Sequence, residues 1–121
     1  MSDSVALVLV TCGNEDETRS LARQLVEGRL AAGVQIIPIS SIYTWEDEVV
    51  EDLERLLICK TRTALYDDIE STVTEHHSYE VPPILMPEID RAGSPYSDWI
   101  TANTNDNDIF STPRQGNAEL E

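Results

Sequence analysis

Residues 5–12, Val-Ala-Leu-Val-Leu-Val-Thr-Cys, form an almost unbroken apolar run of strand length. That is the pattern of a central strand covered on at least one face. Gly13-Asn14 interrupts it, and Asn14 with Glu17 three positions later has the form of a capping box. Glu15, Asp16 and Glu17 fall in the first helical turn, where the macrodipole favours carboxylates, and that local role is the one assigned to them. Leu21, Ala22, Leu25, Val26 and Leu30 then recur at three- and four-residue spacing. They predict an amphipathic helix from about 15 to 32, closed by Gly33.

A second strand is predicted over about 34–45. Pro38 within it offers no ladder donor and marks an edge or a bulge. Glu46-Asp47-Glu48 supplies the turn and a third strand covers about 50–61, so two long strands make a hairpin. Thr61 or Thr63 caps a second helix, with Leu65, Ile69 and Val73 at four-residue spacing, ending near His76-His77. Pro82-Pro83 force extended chain, and residues 84–89 read as a short edge strand. Ser94 with Pro95 opens a last helix that presents Tyr96, Trp99 and Ile100 on one face. The order strand, helix, strand, strand, helix, strand, with an extra C-terminal helix, is the ferredoxin-like α+β plan: βαββαβ, an antiparallel sheet with both main helices on one face. Residues 1–103 are expected to form a single domain, and the polar segment 104–121 a disordered tail.

The 121 residues suit one domain, and 23 acidic against 8 basic side chains give a net charge of −15. That balance excludes nucleic acid and an anionic membrane surface as partners, because both require clustered cations. No apolar run approaches the ~20 residues of a membrane span, and the N-terminus lacks the basic start of a signal peptide, so a cytoplasmic location is expected. Lys60 is the only lysine. An acid excess with lysine nearly absent points to a halophilic protein, because ~1 M salt shortens the Debye length to about 3 Å and screens self-repulsion.

The chain carries no nucleophile elbow, phosphate loop or dinucleotide fingerprint, so neither an enzyme nor an organic cofactor is expected. Cys12 and Cys59 fall in apolar strands that are antiparallel neighbours in this plan. They sit toward opposite sheet ends, which argues for buried free thiols over a disulfide. His76 and His77 are adjacent and point about 100° apart on a helix, so they do not form a metal clamp by themselves. A helix-terminal histidine complements the dipole, and a metal role needs partners from elsewhere: Glu54, Cys12 or Glu80. Imidazole, carboxylate and thiolate together suit copper or zinc. Tyr43 and Trp45, two apart on a strand, share a face and either close a core or make a subunit contact. The hairpin outruns the other strands, and its free edges are expected to be covered in a ring of three protomers.

Several segments carry a resemblance to a known family. They are Thr11-Cys12-Gly13-Asn14-Glu15, Leu30-Ala31-Ala32, Ile42-Tyr43-x-Trp45 and Lys60-Thr61, then His77-x-Tyr79-x-x-Pro82-x-Ile84 and Tyr96-x-x-Trp99. In this order and spacing the chain resembles the CutA divalent-cation tolerance family over residues 5–103. The resemblance implies a ferredoxin-like cytoplasmic homotrimer, similar to PII-type signalling trimers, with clefts between subunits. It implies a link to tolerance of copper and other divalent ions, and it associates Cu(II) or another divalent cation with His76 and Glu54. His77 then serves as a supporting partner, and Tyr43, Trp45, Tyr79 and Trp99 as trimer or cleft residues. The metal-associated cysteine of some members falls at Val10, so Cys12 does not carry that role over. Gly33 stands where many members have Cys, Asp47 where a turn Gly is usual, Ser78 where Pro follows the His, and Pro83 where a Glu follows Pro82.

Two functions are compatible with these residues. One is a non-enzymatic, trimeric divalent-metal response protein, whose affinity falls as imidazole protonates near pH ~6.5. The other is a PII-like adaptor holding an uncharged or cationic metabolite, or a partner protein, in its clefts. A third reading is a stable scaffold whose metal link is indirect.

Overall fold

The computed structural model describes residues 3–106. A four-stranded antiparallel sheet, in the order β2-β3-β1-β4, carries the helices: β1 (Val5–Cys12), β2 (Gly33–Trp45), β3 (Glu48–Arg62) and β4 (Ile84–Leu85). The helices are α1 (Glu15–Glu27), α2 (Tyr66–His76) and α3 (Ser94–Ala102). The mixed α+β, ferredoxin-like plan is the one the sequence predicts. Along β1 burial alternates: Ala6, Val8, Val10 and Cys12 are wholly buried on one face. Val8, Val10 and Cys12 pack with Leu57 and Cys59 of β3, Leu21 and Leu25 of α1, and Ile69 and Val73 of α2. Cys12 pairs with Arg55 and Cys59 with Val8, so the two buried thiols stand apart along the sheet and both are free.

The hairpin is tighter than its sequence suggests. β2 and β3 pair without interruption from Gly33↔Lys60 to Trp45↔Glu48, leaving only Glu46-Asp47 as the turn. Both turn residues have positive φ, 51° and 67°, as a two-residue turn matched to strand twist requires. Pro38 lies on β2, an edge strand, where its missing donor is harmless.

Four boundaries move for local reasons. α1 ends at Glu27 rather than near residue 32, with Gly28 at its C-cap and Arg29 in the left-handed region at φ 59°. The N–H groups of Leu30 and Ala31 both return to the Leu25 carbonyl (2.9 and 3.1 Å), so Leu30 follows the helix instead of extending it and Gly33 opens β2. Neither Thr61 nor Thr63 caps α2, because Thr61 donates to the Leu30 carbonyl (2.6 Å) and Thr63 to Asp3 (3.2 Å); a short 3-10 turn, Thr63–Leu65, leads in instead. β4 is two residues long, followed by a single bridge between Ala6 and Glu88, because prolines bracket it. Pro83 and Pro87 still accept hydrogen bonds from Thr11 and Leu7 of β1 (3.2 and 3.1 Å). Gly93, not Ser94, is the N-cap residue of α3, and of the predicted apolar face only Ile100 is buried.

The domain runs past residue 103. Thr104 is buried beside Arg62, and Asn105 donates its backbone N–H to the Arg29 carbonyl (2.8 Å). Residues 107–121 of the predicted tail lie outside the described residues.

Candidate functional site

The segment after α2, residues 77–79, docks onto the junction of β1 and α1 and joins two groups of side chains. The first is a cluster of Cys12 at the end of β1, Glu17 in the first turn of α1 and His77. One ligand atom from each lies within 4.8 Å of the others, and among the described residues this is the one such group of three or more. The His77 side chain is wholly buried. Its Nε2 lies 2.6 Å from the Thr11 carbonyl, and its Nδ1 accepts the Tyr79 backbone N–H at 3.0 Å. Those partners assign the ring proton to Nε2 and engage the Nδ1 lone pair with the Tyr79 N–H. Glu17 Oε2 sits 3.4 Å from Nδ1 and accepts the Ser78 N–H at 3.0 Å. Burial pushes the Cys12 thiol up to about 11, and the charges of Glu17 and Glu54 push in the same direction against a hydrogen bond from Thr18.

A nitrogen, a carboxylate oxygen and a sulfur at this spacing fit a divalent ion of borderline softness, and the carbonyl behind Nε2 orients the imidazole for such a role. Loading the cluster removes the Cys12 proton and displaces the Tyr79 N–H from Nδ1, so the affinity must exceed both costs.

The second group is a concavity of about 640 Å³ on the sheet face opposite the Val8–Val10–Cys12 core, lined among others by Tyr43, Trp45, Glu54, Tyr79 and Glu80. Glu54 on β3 is only 5% exposed, and its Oε2 takes the Tyr79 hydroxyl at 2.5 Å. Burial and that bond drive the Tyr79 hydroxyl well above its ordinary value. Tyr43 donates to Asp52 (2.5 Å), and this bond holds its hydroxyl up at about 12. Gly13 makes room for the arrangement, because a Cβ there would meet the Tyr79 hydroxyl oxygen at 2.7 Å.

The predicted site residues divide accordingly. Tyr43, Trp45, Tyr79 and Glu54 line one cleft. His77 joins them through Tyr79, whose ring lies 4.7 Å from its own. His76 is exposed, with Nδ1 2.9 Å from the Thr72 carbonyl of its own helix, and neither it nor Glu54 belongs to the three-donor cluster. Trp99 lies outside the cleft lining, stacked on Tyr96 at 5.5 Å on α3. Sequence reasoning missed Glu17 as a site residue, giving it only a capping role. It does cap, since Asn14 accepts its N–H at 2.7 Å, and its carboxylate reaches His77 as well.

Comparison with known proteins places this architecture. The profile of the CutA1 divalent ion tolerance protein matches residues 6–103. The chain is 43% identical over 99 residues to the divalent-cation tolerance protein CutA of Thermus thermophilus, covering 81% of this chain and 96% of that one. A solved structure of the Thermus thermophilus protein superposes with a TM-score of 0.81 at 42% identity, covering 84% of this chain and 99% of that one. Human protein CutA is 39% identical over 98 residues, covering 80% of this chain. The chain spans 55% of the length of the human and mouse relatives. The CutA1 structure from Oryza sativa matches with a TM-score of 0.81 at 36% identity, covering 84% of this chain and 94% of that one.

Proposed function

The chain belongs to the CutA1 divalent ion tolerance family, and from that premise we propose that it is a divalent-cation-binding protein acting as a cytoplasmic homotrimer. The observation that carries the reading is the convergence of Cys12, Glu17 and His77, one donor atom from each lying within 4.8 Å of the others. The donor set favours copper or zinc over calcium or magnesium, which prefer all-oxygen shells. Binding is favoured over turnover, because a thiol held near 11 is a poor nucleophile without a metal. His76, next to His77 in the chain, and Glu54, linked to it through Tyr79, are assigned as outer contributors.

The trimer reading rests on the sheet edges. β2 is an edge strand. By the strand register, Ile42, Val49 and Leu53 share one hairpin face, opposite the face that bears Tyr43, Trp45 and Glu54. They are 68%, 77% and 79% exposed in the protomer, an apolar surface of the kind subunit contacts cover. Head-to-tail pairing of such an edge closes into a ring when the rotation permits.

Zinc(II) calorimetry in high salt tests the metal site, with cobalt(II) absorption reporting thiolate ligation. We expect one saturable site per protomer that is lost in His77→Ala and Cys12→Ser and weakened in His76→Ala. Identical weak curves for all four proteins would show only surface carboxylates at work and would sink direct metal binding.

A further inference from the structure

The cleft beside the Cys12–Glu17–His77 cluster is lined by two carboxylates, Glu54 and Glu80, and by no basic side chain among the described residues. The Glu54 carboxylate is buried, with 5% exposure, and among the described residues its one hydrogen bond is the Tyr79 hydroxyl on Oε2. A buried carboxylate with one oxygen unpartnered is costly, and the missing element is a cation.

The walls say which kind. Tyr43, Trp45 and Tyr79 face the concavity, with Val81 and Pro83 completing its apolar lining. Aromatic faces attract cations through the ring quadrupole and contribute nothing to the oxygen shell a small metal ion demands. A volume of about 640 Å³ is that of a small-molecule site. Among the described residues Arg19, Arg23, Arg29, Arg55, Lys60 and Arg62 all have partners of their own, which leaves Arg91.

We propose that the cleft formed by Tyr43, Trp45, Tyr79 and Glu54 binds an organic cation of the alkylammonium class. The aromatic rings take the alkylated nitrogen and Glu54 supplies the counter-charge. The cleft lining is distinct from the Cys12–Glu17–His77 cluster, to which it is joined through Tyr79.

The test uses choline as the probe and 3,3-dimethylbutan-1-ol, its uncharged isostere, as the control. The sequence has two tryptophans, so a Trp99→Phe variant leaves Trp45 as the sole indole fluorophore in the cleft. We expect saturable quenching by choline at least about tenfold tighter than by the alcohol. Calorimetry on otherwise wild-type protein then reads Glu54→Gln and Trp45→Ala, each expected to weaken choline about tenfold or more. Trp45 is 41% exposed, so its removal keeps the test open even where Glu54→Gln disturbs folding. Equal affinity for choline and the alcohol, or no saturable binding of choline, overturns the inference. Choline binding lost on addition of zinc in His77→Ala protein also overturns it, since Glu54 would then be a metal ligand. Choline binding that persists in His77→Ala, together with zinc binding lost there, supports both assignments separately; zinc binding without choline binding refutes this one alone.

Discussion

Replacing Gly13 by Ala probes the contact on which both groups lean. The added methyl would lie 2.7 Å from the Tyr79 hydroxyl oxygen and 3.1 Å from Cε1, so the ring must withdraw. Withdrawal is resisted at both ends of the residue. The hydroxyl is bonded to buried Glu54 at 2.5 Å, and the backbone N–H is bonded to His77 Nδ1 at 3.0 Å. Overpacking of this sort costs about 1–3 kcal/mol. Releasing the hydroxyl instead gives up a bond to a carboxylate, at about 1.5–3 kcal/mol. The protein takes the less costly route, and alanine recovers about 0.4–1 kcal/mol by restricting the unfolded chain. The expected net loss is therefore about 1–2 kcal/mol. In a Tyr79→Phe background the closest atom and the anchor are both gone, and Gly13→Ala should fall within ~0.5 kcal/mol of neutral. Denaturant unfolding of the four proteins of this cycle, at one fixed protein concentration, yields a coupling of about 1 kcal/mol. Additive effects, or a Gly13→Ala protein as stable as wild type, would refute the reasoning.

The tyrosines predict an alkaline limit. Tyr43 is held at about 12 by Asp52, and Tyr79 and Tyr66 are raised as well, so their neutral forms are favoured by folding. That stability is complete below the ordinary value near ~10 and is lost as pH rises through the folded values. Ultraviolet absorbance should show Tyr43, Tyr66 and Tyr79 ionising later in the native protein than in denaturant, and superimposed curves would exclude it. Leu53→Glu, at a position 79% exposed in the protomer, should shift sedimentation from trimer toward monomer, and an unchanged coefficient would place the subunit contact elsewhere. Asp47→Gly, at φ 67°, relieves a left-handed L-residue and should raise hairpin stability by up to about 1 kcal/mol in thermal unfolding; a drop in Tm would contradict the turn geometry.

Most of the fold is local enough to read from sequence. The β1 run, the Asn14 cap, the long hairpin and the end of α2 each depend on neighbours within a few positions. The errors fall where a distant partner overrides a local signal. Gly33 looked like the helix terminator because the apolar spacing continued to Leu30, yet Gly28 and left-handed Arg29 turn the chain first. Arg29 is held in that turn from the far end of the domain, through the Ala102 carbonyl and Asn105. The same contacts turn the start of an apparent tail into part of the folded domain.

The site was legible by residue type but not by grouping. Tyr43 and Trp45 near the hairpin turn, Tyr79 after α2 and the acidic Glu54 within β3 announce themselves by residue type, and they line one cleft. Of the proposed metal donors, Glu17 did not announce itself. It already had a complete local explanation as a cap, and Cys12, weighed as a histidine partner, also read as a small buried hydrophobe. Their second role appears only once His77 reaches back 66 positions to the Thr11 carbonyl and presents its other nitrogen to them. A histidine pair at a helix end likewise gives no hint which ring turns inward. The next two residues decide it. Ser78 and Tyr79 donate their N–H groups to Glu17 and to His77 Nδ1, pinning the second ring and leaving the first on the surface of its own helix.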